Sequence, residues 1–251
     1  MNIERYLERI GLGGYAPSVD IASLRRLHRA HLLTVPFENL DIHWNRKIVP
    51  DTTQFYKKIV NETRGGFCYE LNGLFNELLK TIGFKTRLIS ARVFNGTTHG
   101  REFDHAAVIV DIDGSEYLAD VGFGAFIAEP LRFELGLEQN DPCGTFVIRQ
   151  HDDKYLDVVQ ITGEGEKSQY IFRDIARELS EFAEMCEFQQ TSPESHFTQN
   201  KLCSILTETG RKTLTDKKFI VTVGNERSEM PIDSDEEFAA VLMGAFNISR
   251  P

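Results

Sequence analysis

Cys68 sits in the run Arg64-Gly65-Gly66-Phe67-Cys68-Tyr69-Glu70-Leu71-Asn72-Gly73-Leu74-Phe75, directly after a glycine pair. Beyond it, Leu71, Leu74, Phe75, Leu78 and Leu79 recur at helical spacing. The cysteine therefore falls in the first turn of a helix, where unpaired backbone N–H groups and the macrodipole favour negative charge. A thiol there is biased towards thiolate, the form that attacks electrophiles. Without Cβ atoms, the two glycines let the backbone approach a substrate. The competing role for a lone cysteine is a small buried hydrophobe. Chemistry requires a base beside it.

Phe103-Asp104-His105-Ala106-Ala107-Val108-Ile109-Val110 supplies one, because His105 opens an apolar, β-branched run that reads as a buried strand. A second strand, Glu116-Tyr117-Leu118-Ala119-Asp120, ends in an acid followed by Val121-Gly122-Phe123-Gly124. Asp113-Gly114 between the strands is a two-residue hairpin signal. Pairing about that turn places Asp120 across from Ala107, two positions from His105 and on the same face, within diagonal side-chain reach. A carboxylate beside an imidazole fixes its tautomer and stabilises the imidazolium that forms. Cys68, His105 and Asp120 thus fit nucleophile, base and orienting acid.

The run from Arg64 to Asn72, followed by Phe103-Asp104-His105 and Asp120-Val121-Gly122-Phe123-Gly124, resembles the arylamine N-acetyltransferases. Val35-Pro36-Phe37-Glu38-Asn39-Leu40 and Ser192-Pro193-Glu194-Ser195-His196-Phe197 are also similar to segments of that family. The resemblance spans most of the chain and implies a catalytic triad of Cys68, His105 and Asp120. It further implies acetyl transfer from acetyl-coenzyme A to an aromatic amine or hydrazine through a ping-pong cycle on the cysteine. Acetyl-coenzyme A would be a cosubstrate, with no permanently bound cofactor. The fold implied is papain-like: an N-terminal helical bundle, a β-barrel and an α/β lid, with the triad at the bundle–barrel junction.

The elements that must position these residues agree. Residues 3–82 are helical in pattern, with Ser23 and Asp51 as starting caps and Gly83 closing the Cys68 helix. Strand patterns follow at 86–94, 106–112, 116–120, 145–150 and 155–161. A helix reads over 178–189, then short strands and a terminal helix opened by Asp233-Ser234-Asp235. This succession is α+β. The expected division is a bundle over 1–83, a barrel over 84–190 and a lid over 191–251.

Among lesser candidates, Arg64 is expected to hold the helix entrance or bias the thiolate, Arg9 to join it on the strength of the resemblance, and both to meet substrate. Phe37 and Phe123 are expected to line an aromatic pocket, and Gly122 and Gly124 to bring backbone amides to a coenzyme phosphate or pantetheine arm. Glu38-Asn39 reads as a buried polar network bracing the site. His28, His31 and His43 lack an acidic partner at metal-ligand spacing, so no metal site is expected.

Bulk properties set the bounds. The 251 residues can bury a sizeable core, and 41% hydrophobic with 26% charged residues is ordinary for a globular protein. A net charge of −10 argues against general nucleic-acid binding. Cys68, Cys143, Cys186 and Cys203 are well separated, which suggests a reduced cytoplasmic protein. No segment approaches membrane-spanning length. The competing functions are a cysteine hydrolase or transglutaminase-like enzyme, an acyltransferase using a carrier-bound donor, and a binding module with a structural Cys68.

Overall fold

Residues 1–250 of the chain are described in a computed structural model. Its N-terminal part holds α1 (Ile3–Arg9), α2 (Ile21–Thr34), a two-residue strand β1 (Phe37–Glu38), and the one-turn α3 (Leu40–His43). After α4 (Thr52–Tyr56) the chain widens into a π-turn over Lys57–Asn61 and then forms α5 (Cys68–Ile82). Asp51 caps α4, accepting the Thr53 and Gln54 N–H groups. The cap of α2 is Asp20 rather than Ser23. Asp20 Oδ1 accepts the Ser23 N–H at 2.7 Å, and the Ser23 hydroxyl instead meets Tyr15. The apolar stripe of α5 is fully buried, and Gly83 ends the helix at φ 116°, a left-handed geometry that glycine adopts without a Cβ penalty.

The barrel-forming sheet contains β2 (Lys85–Val93), β3 (His105–Ile112), β4 (Ser115–Ala119), β5 (Leu131–Arg132), β6 (Gln139–Asp141), β7 (Gly144–Gln150), β8 (Leu156–Thr162) and β9 (Gly165–Phe172). Their order is β5-β4-β3-β2-β9-β8-β7-β6. Asp113 and Gly114 both have positive φ, as a primed two-residue turn demands. The turn pairs Val108 with Ala119 and Ile109 with Leu118, the register read from the sequence. Strand β3 separates two cores. Ala106, Val108 and Val110 pack with the α5 stripe, while Ala107 and Ile109 pack with Leu118, Phe146 and Tyr170. Burial on both faces explains its unbroken apolar run.

A 3-10 turn, Leu179–Phe182, leads into α6 (Ala183–Thr191), and α7 (His196–Gln199) follows. The second sheet runs β1-β10-β11-β12-β13, with β10 (Leu202–Thr207), β11 (Gly210–Thr215), β12 (Lys218–Val223) and β13 (Glu226–Pro231). Helix α8 (Asp235–Phe246) covers it through Phe238, Leu242 and Phe246. Because Phe37 of β1 pairs with Ser204 of β10, this sheet crosses back to the helical part. Strands β9 and β13 escape the sequence pattern: β9 is polar in its first half and β13 is exposed throughout, so neither carries a clean apolar period. The architecture is α+β, a papain-like arrangement of helices, barrel-like sheet and α/β lid. No helix is long and apolar enough to cross a membrane.

Candidate active site

The nucleophile loop is held by backbone pairing with β1. The Glu38 N–H donates to the Gly66 carbonyl at 2.8 Å, and the Gly66 N–H to the Pro36 carbonyl at 3.2 Å. A Cβ on Gly65 would lie 2.0 Å from the Pro36 oxygen, and one on Gly66 would lie 2.8 Å from Glu70 Cβ. The glycine pair therefore serves close packing of the loop against β1 and α5, rather than the approach of a substrate. Glu70 Oε2 accepts the Phe67 N–H at 3.1 Å and fixes the helix start. Cys68, the first residue of α5, opens on a cavity of about 370 Å³ together with His105, Phe37, Phe123, Gly122 and Gly124.

His105 Nε2 lies 2.7 Å from Asp120 Oδ2. Burial raises the Asp120 carboxyl, but the imidazole and hydrogen bonds from His105, Asn72 and the Gly122 amide bring it below its ordinary value. An ionised carboxylate only accepts, so Nε2–H is the donor. Nδ1 is left as the nitrogen free to take a proton. The ring is wedged between Phe123 and Tyr170, with centroids at 5.1 and 5.3 Å.

Four further groups hold Asp120. Asn72, one helical turn after Cys68, donates to Asp120 Oδ1 at 2.8 Å and to the Ala106 carbonyl at 2.6 Å, and its oxygen accepts the Val121 N–H. The Gly122 N–H donates to Oδ1 at 2.9 Å, and the Tyr170 hydroxyl to Oδ2 at 3.2 Å. His28 sits 3.2 Å from the Ala128 carbonyl through Nδ1 and accepts the Asp120 N–H at Nε2. Burial lowers its pKa, consistent with a neutral ring in that tautomer. Asn72 carries a sequence signal, a polar residue four positions after Cys68 on the buried helix face. Tyr170 lies on the strand that the apolar pattern hides.

Burial pushes the Cys68 thiol well above its usual value. The Ala106 backbone pulls it down, while Asp104 and Asp120 add to the rise. The sequence reading, which placed the thiol at a dipole-favoured helix start, accounted for the helix but not for the burial. Ionisation here requires a proton acceptor, and His105 faces the same cavity.

Neither arginine lines this cavity. Arg64 is buried against Glu38 at 2.6 Å and Asp41 at 3.1 Å, with Trp44 across its guanidinium. Arg9 donates to the carbonyls of Ile59, Thr34, Thr63 and Arg64. Both hold the nucleophile loop and helix entrance from behind through these carboxylates and carbonyls, and neither is placed to meet a substrate in the Cys68 cavity. Asn39 ties Phe197 and Asn200 to β1, so Glu38-Asn39 is a buried bracing network. Gly122 also departs from expectation. A Cβ there would meet Asn72 Nδ2 at 2.6 Å and Cys68 Cα at 2.9 Å, and its N–H is committed to Asp120. Its absent side chain admits the nucleophile, and its amide is not available to a phosphate. Gly124 is open to the cavity at φ 86°. Among the described residues, no group of three or more His, Cys, Asp or Glu side chains could hold a metal ion.

A cysteine at a helix start, sharing a cavity with a histidine that is hydrogen-bonded to a buried carboxylate, defines the class of cysteine-nucleophile enzymes. Comparison with known proteins narrows the class. A family profile described as N-acetyltransferase matches residues 20–250. The arylamine N-acetyltransferase pineal gland isozyme NAT-10 of Gallus gallus is 30% identical over 99% of this chain and 94% of that protein. The solved Mycobacterium smegmatis arylamine N-acetyltransferase has TM-score 0.92 at 26% identity, over 99% of this chain and 93% of that one. An arylamine N-acetyltransferase of Mycobacterium marinum, solved in complex with CoA, has TM-score 0.89 at 25% identity, over 98% and 93%. The chain belongs to the arylamine N-acetyltransferase family.

Proposed function

We propose that the protein transfers acetyl from acetyl-coenzyme A to arylamines or hydrazines through an acetyl-Cys68 thioester. The observation that carries this reading is the shared cavity of Cys68 and His105, with Asp120 hydrogen-bonded behind the imidazole. His105 Nδ1 takes the thiol proton, and the thiolate attacks the thioester carbonyl carbon. The oxyanion is met by the Cys68 backbone N–H, which has no intrahelical partner at the first helical position. Collapse of this adduct expels coenzyme A, which leaves with the proton from His105. An amine then attacks acetyl-Cys68, His105 takes its proton, and the released thiolate recovers it. Aromatic amines are weakly basic and stay neutral at pH 7, which suits them to this step better than alkyl amines.

Phe37 and Phe123 form the aromatic walls for the acceptor, and Gly124 gives the pantetheine arm room to pass. The division into a bundle (1–83), a barrel (84–190) and a lid (191–251) is supported by the breaks after α5 and α6, with β1 as the strand the lid borrows. Four free thiols support a cytoplasmic location. Intact-protein mass spectrometry after incubation with acetyl-coenzyme A tests the reading. A gain of one acetyl group, mapped to Cys68, is expected; an unmodified Cys68 would refute it.

A further inference from the structure

Among the described residues that line the Cys68 cavity, Asp104 is the only carboxylate, and none is a lysine or an arginine. The walls are otherwise largely apolar, with Phe37, Phe123 and Phe197 among them. A second space of about 470 Å³ opens beside this cavity, and Val93, Asp104, Gln189 and His196 line both. Asp104 therefore stands where the two spaces meet.

Its carboxylate is held in place but not paired with a lysine or arginine. Gln189 Nε2 donates to Oδ1 at 2.7 Å, and Oδ2 packs so closely on Gly100 that a Cβ there would overlap it. Arg101 is the one lysine or arginine among the described residues lining the second space. It is already paired with Glu194 at 2.9 Å and lies across the Phe188 ring. The titratable groups that face Asp104 are His105 and His196. Burial raises its carboxyl, and His105, the Val93 backbone, Gln189 and His196 draw it back down.

An arylamine that attacks acetyl-Cys68 must carry any para substituent away from the sulfur. The second space gives such a substituent room beyond the Cys68 cavity, past Asp104 and against Phe94, Met185 and Phe188. Between apolar walls a charge on it is screened less than in water. A cationic or N–H-bearing substituent gains a charge-assisted hydrogen bond from the carboxylate. A carboxylate substituent is repelled, and no free cation receives it.

We propose that Asp104 sets the charge preference for the acceptor, selecting arylamines and hydrazines whose distal substituent is cationic or an N–H donor and rejecting those that carry a carboxylate. This inference rests on the acetyl-transfer reading and deepens it by naming the class of acceptor.

The test uses three arylamines of one shape, 4-aminobenzamidine, 4-aminobenzamide and 4-aminobenzoate, which are cationic, neutral and anionic at neutral pH. In a ping-pong cycle kcat/KM for the acceptor reports only the deacylation of acetyl-Cys68, so any effect on acylation drops out. In Asp104→Asn the ratio of kcat/KM for 4-aminobenzamidine to that for 4-aminobenzoate should fall about tenfold, the scale of one hydrogen bond to a charged group. Asp104→Glu should keep most of the ratio. A merely structural Asp104 would lower all three amines by one factor, and an unchanged ratio in Asp104→Asn overturns the assignment. The wild type supplies a second check that needs no folded variant, with each rate divided by that amine's uncatalysed acetylation by p-nitrophenyl acetate. A wild type that then favours 4-aminobenzoate over 4-aminobenzamidine also overturns it. If no acetyl-Cys68 forms in the wild type, the acetyl-transfer reading itself fails and takes this inference with it, a failure seen before any amine is added.

Discussion

Two buried polar clusters meet at the start of α5, and they are built on opposite principles. On the cavity side, His105, Asp120, Asn72 and Tyr170 form a chain of directed hydrogen bonds containing a single carboxylate, and Cys68 shares the cavity with His105. Behind the loop, Glu38, Asp41 and Glu70 crowd around Lys58 and Arg64. Lys58 Nζ reaches all three acids at 2.9 to 3.6 Å. The first cluster leaves one ring nitrogen free beside a cavity. The second spends its charge on the loop, with the half-exposed Arg46 as a third cation 3.8 Å from Asp41. The comparison teaches that buried charge density marks the brace, while the reactive side is marked by an economical network with a single mobile proton.

The largest expected effect comes from Asp120→Asn. Oδ1 accepts from Asn72 and Gly122, so the introduced amide would keep its oxygen there and turn its NH2 towards His105 Nε2. That forces the proton onto Nδ1, the wrong tautomer for accepting from a thiol. We expect kcat to fall by a factor on the order of 10⁴ with unfolding stability nearly kept. Near-native acylation rates would demote Asp120 to a structural acid.

Lys58→Met breaks the other cluster. It leaves Glu38 and Asp41 to Arg64, with Arg46 only at the edge of Asp41, and strands Glu70 without a cation, and urea unfolding should show a loss of about 3–5 kcal/mol. A loss under 1 kcal/mol would mean that the brace is not electrostatic.

Asn72→Ala sharpens the contrast, because it removes one charged hydrogen bond from the reactive network and leaves the brace intact. A decrease in kcat of roughly tenfold to hundredfold is expected. Its signature would be a slower acylation step, read by stopped-flow, with no change in Lys58-cluster stability.

The smallest effect is a pH slope. Burial, opposed by Lys58 but reinforced by Glu38 and Asp41, pushes Glu70 up to about 7. A carboxyl raised in the folded state binds its proton more tightly there than in the unfolded chain. Its contribution to stability is therefore present at acid pH and is lost as pH rises from the unfolded value towards 7. The slope should not exceed about 1.4 kcal/mol per pH unit. Glu70→Gln should flatten it across that window; an unaltered slope would assign the proton elsewhere.

The reactive cluster was more legible in the sequence than the brace. Asp113-Gly114 sets a hairpin register by local turn chemistry alone, so His105 and Asp120 could be placed on one face before any tertiary contact was known. The helical period beyond Cys68 was equally local. Arg64 and Arg9 were misplaced because a charged loop residue has the same local pattern whether it points at a substrate or at buried acids. The roles of Gly65, Gly66 and Gly122 depend on segments remote in sequence, Pro36, Glu70 and Asn72 among them. Burial of the Cys68 sulfur, which reverses the expected direction of its pKa, arises only when α5 docks on β3.

The central claim is that acetyl is parked on Cys68 between two half-reactions. Rapid mixing of the protein with acetyl-coenzyme A, without amine, tests it most directly by following free thiol release. The account predicts a burst of about one equivalent of coenzyme A per protein, then slow turnover as water attacks the thioester, with the burst absent in Cys68→Ala. A burst that survives Cys68→Ala, or release that waits for an amine, would contradict it.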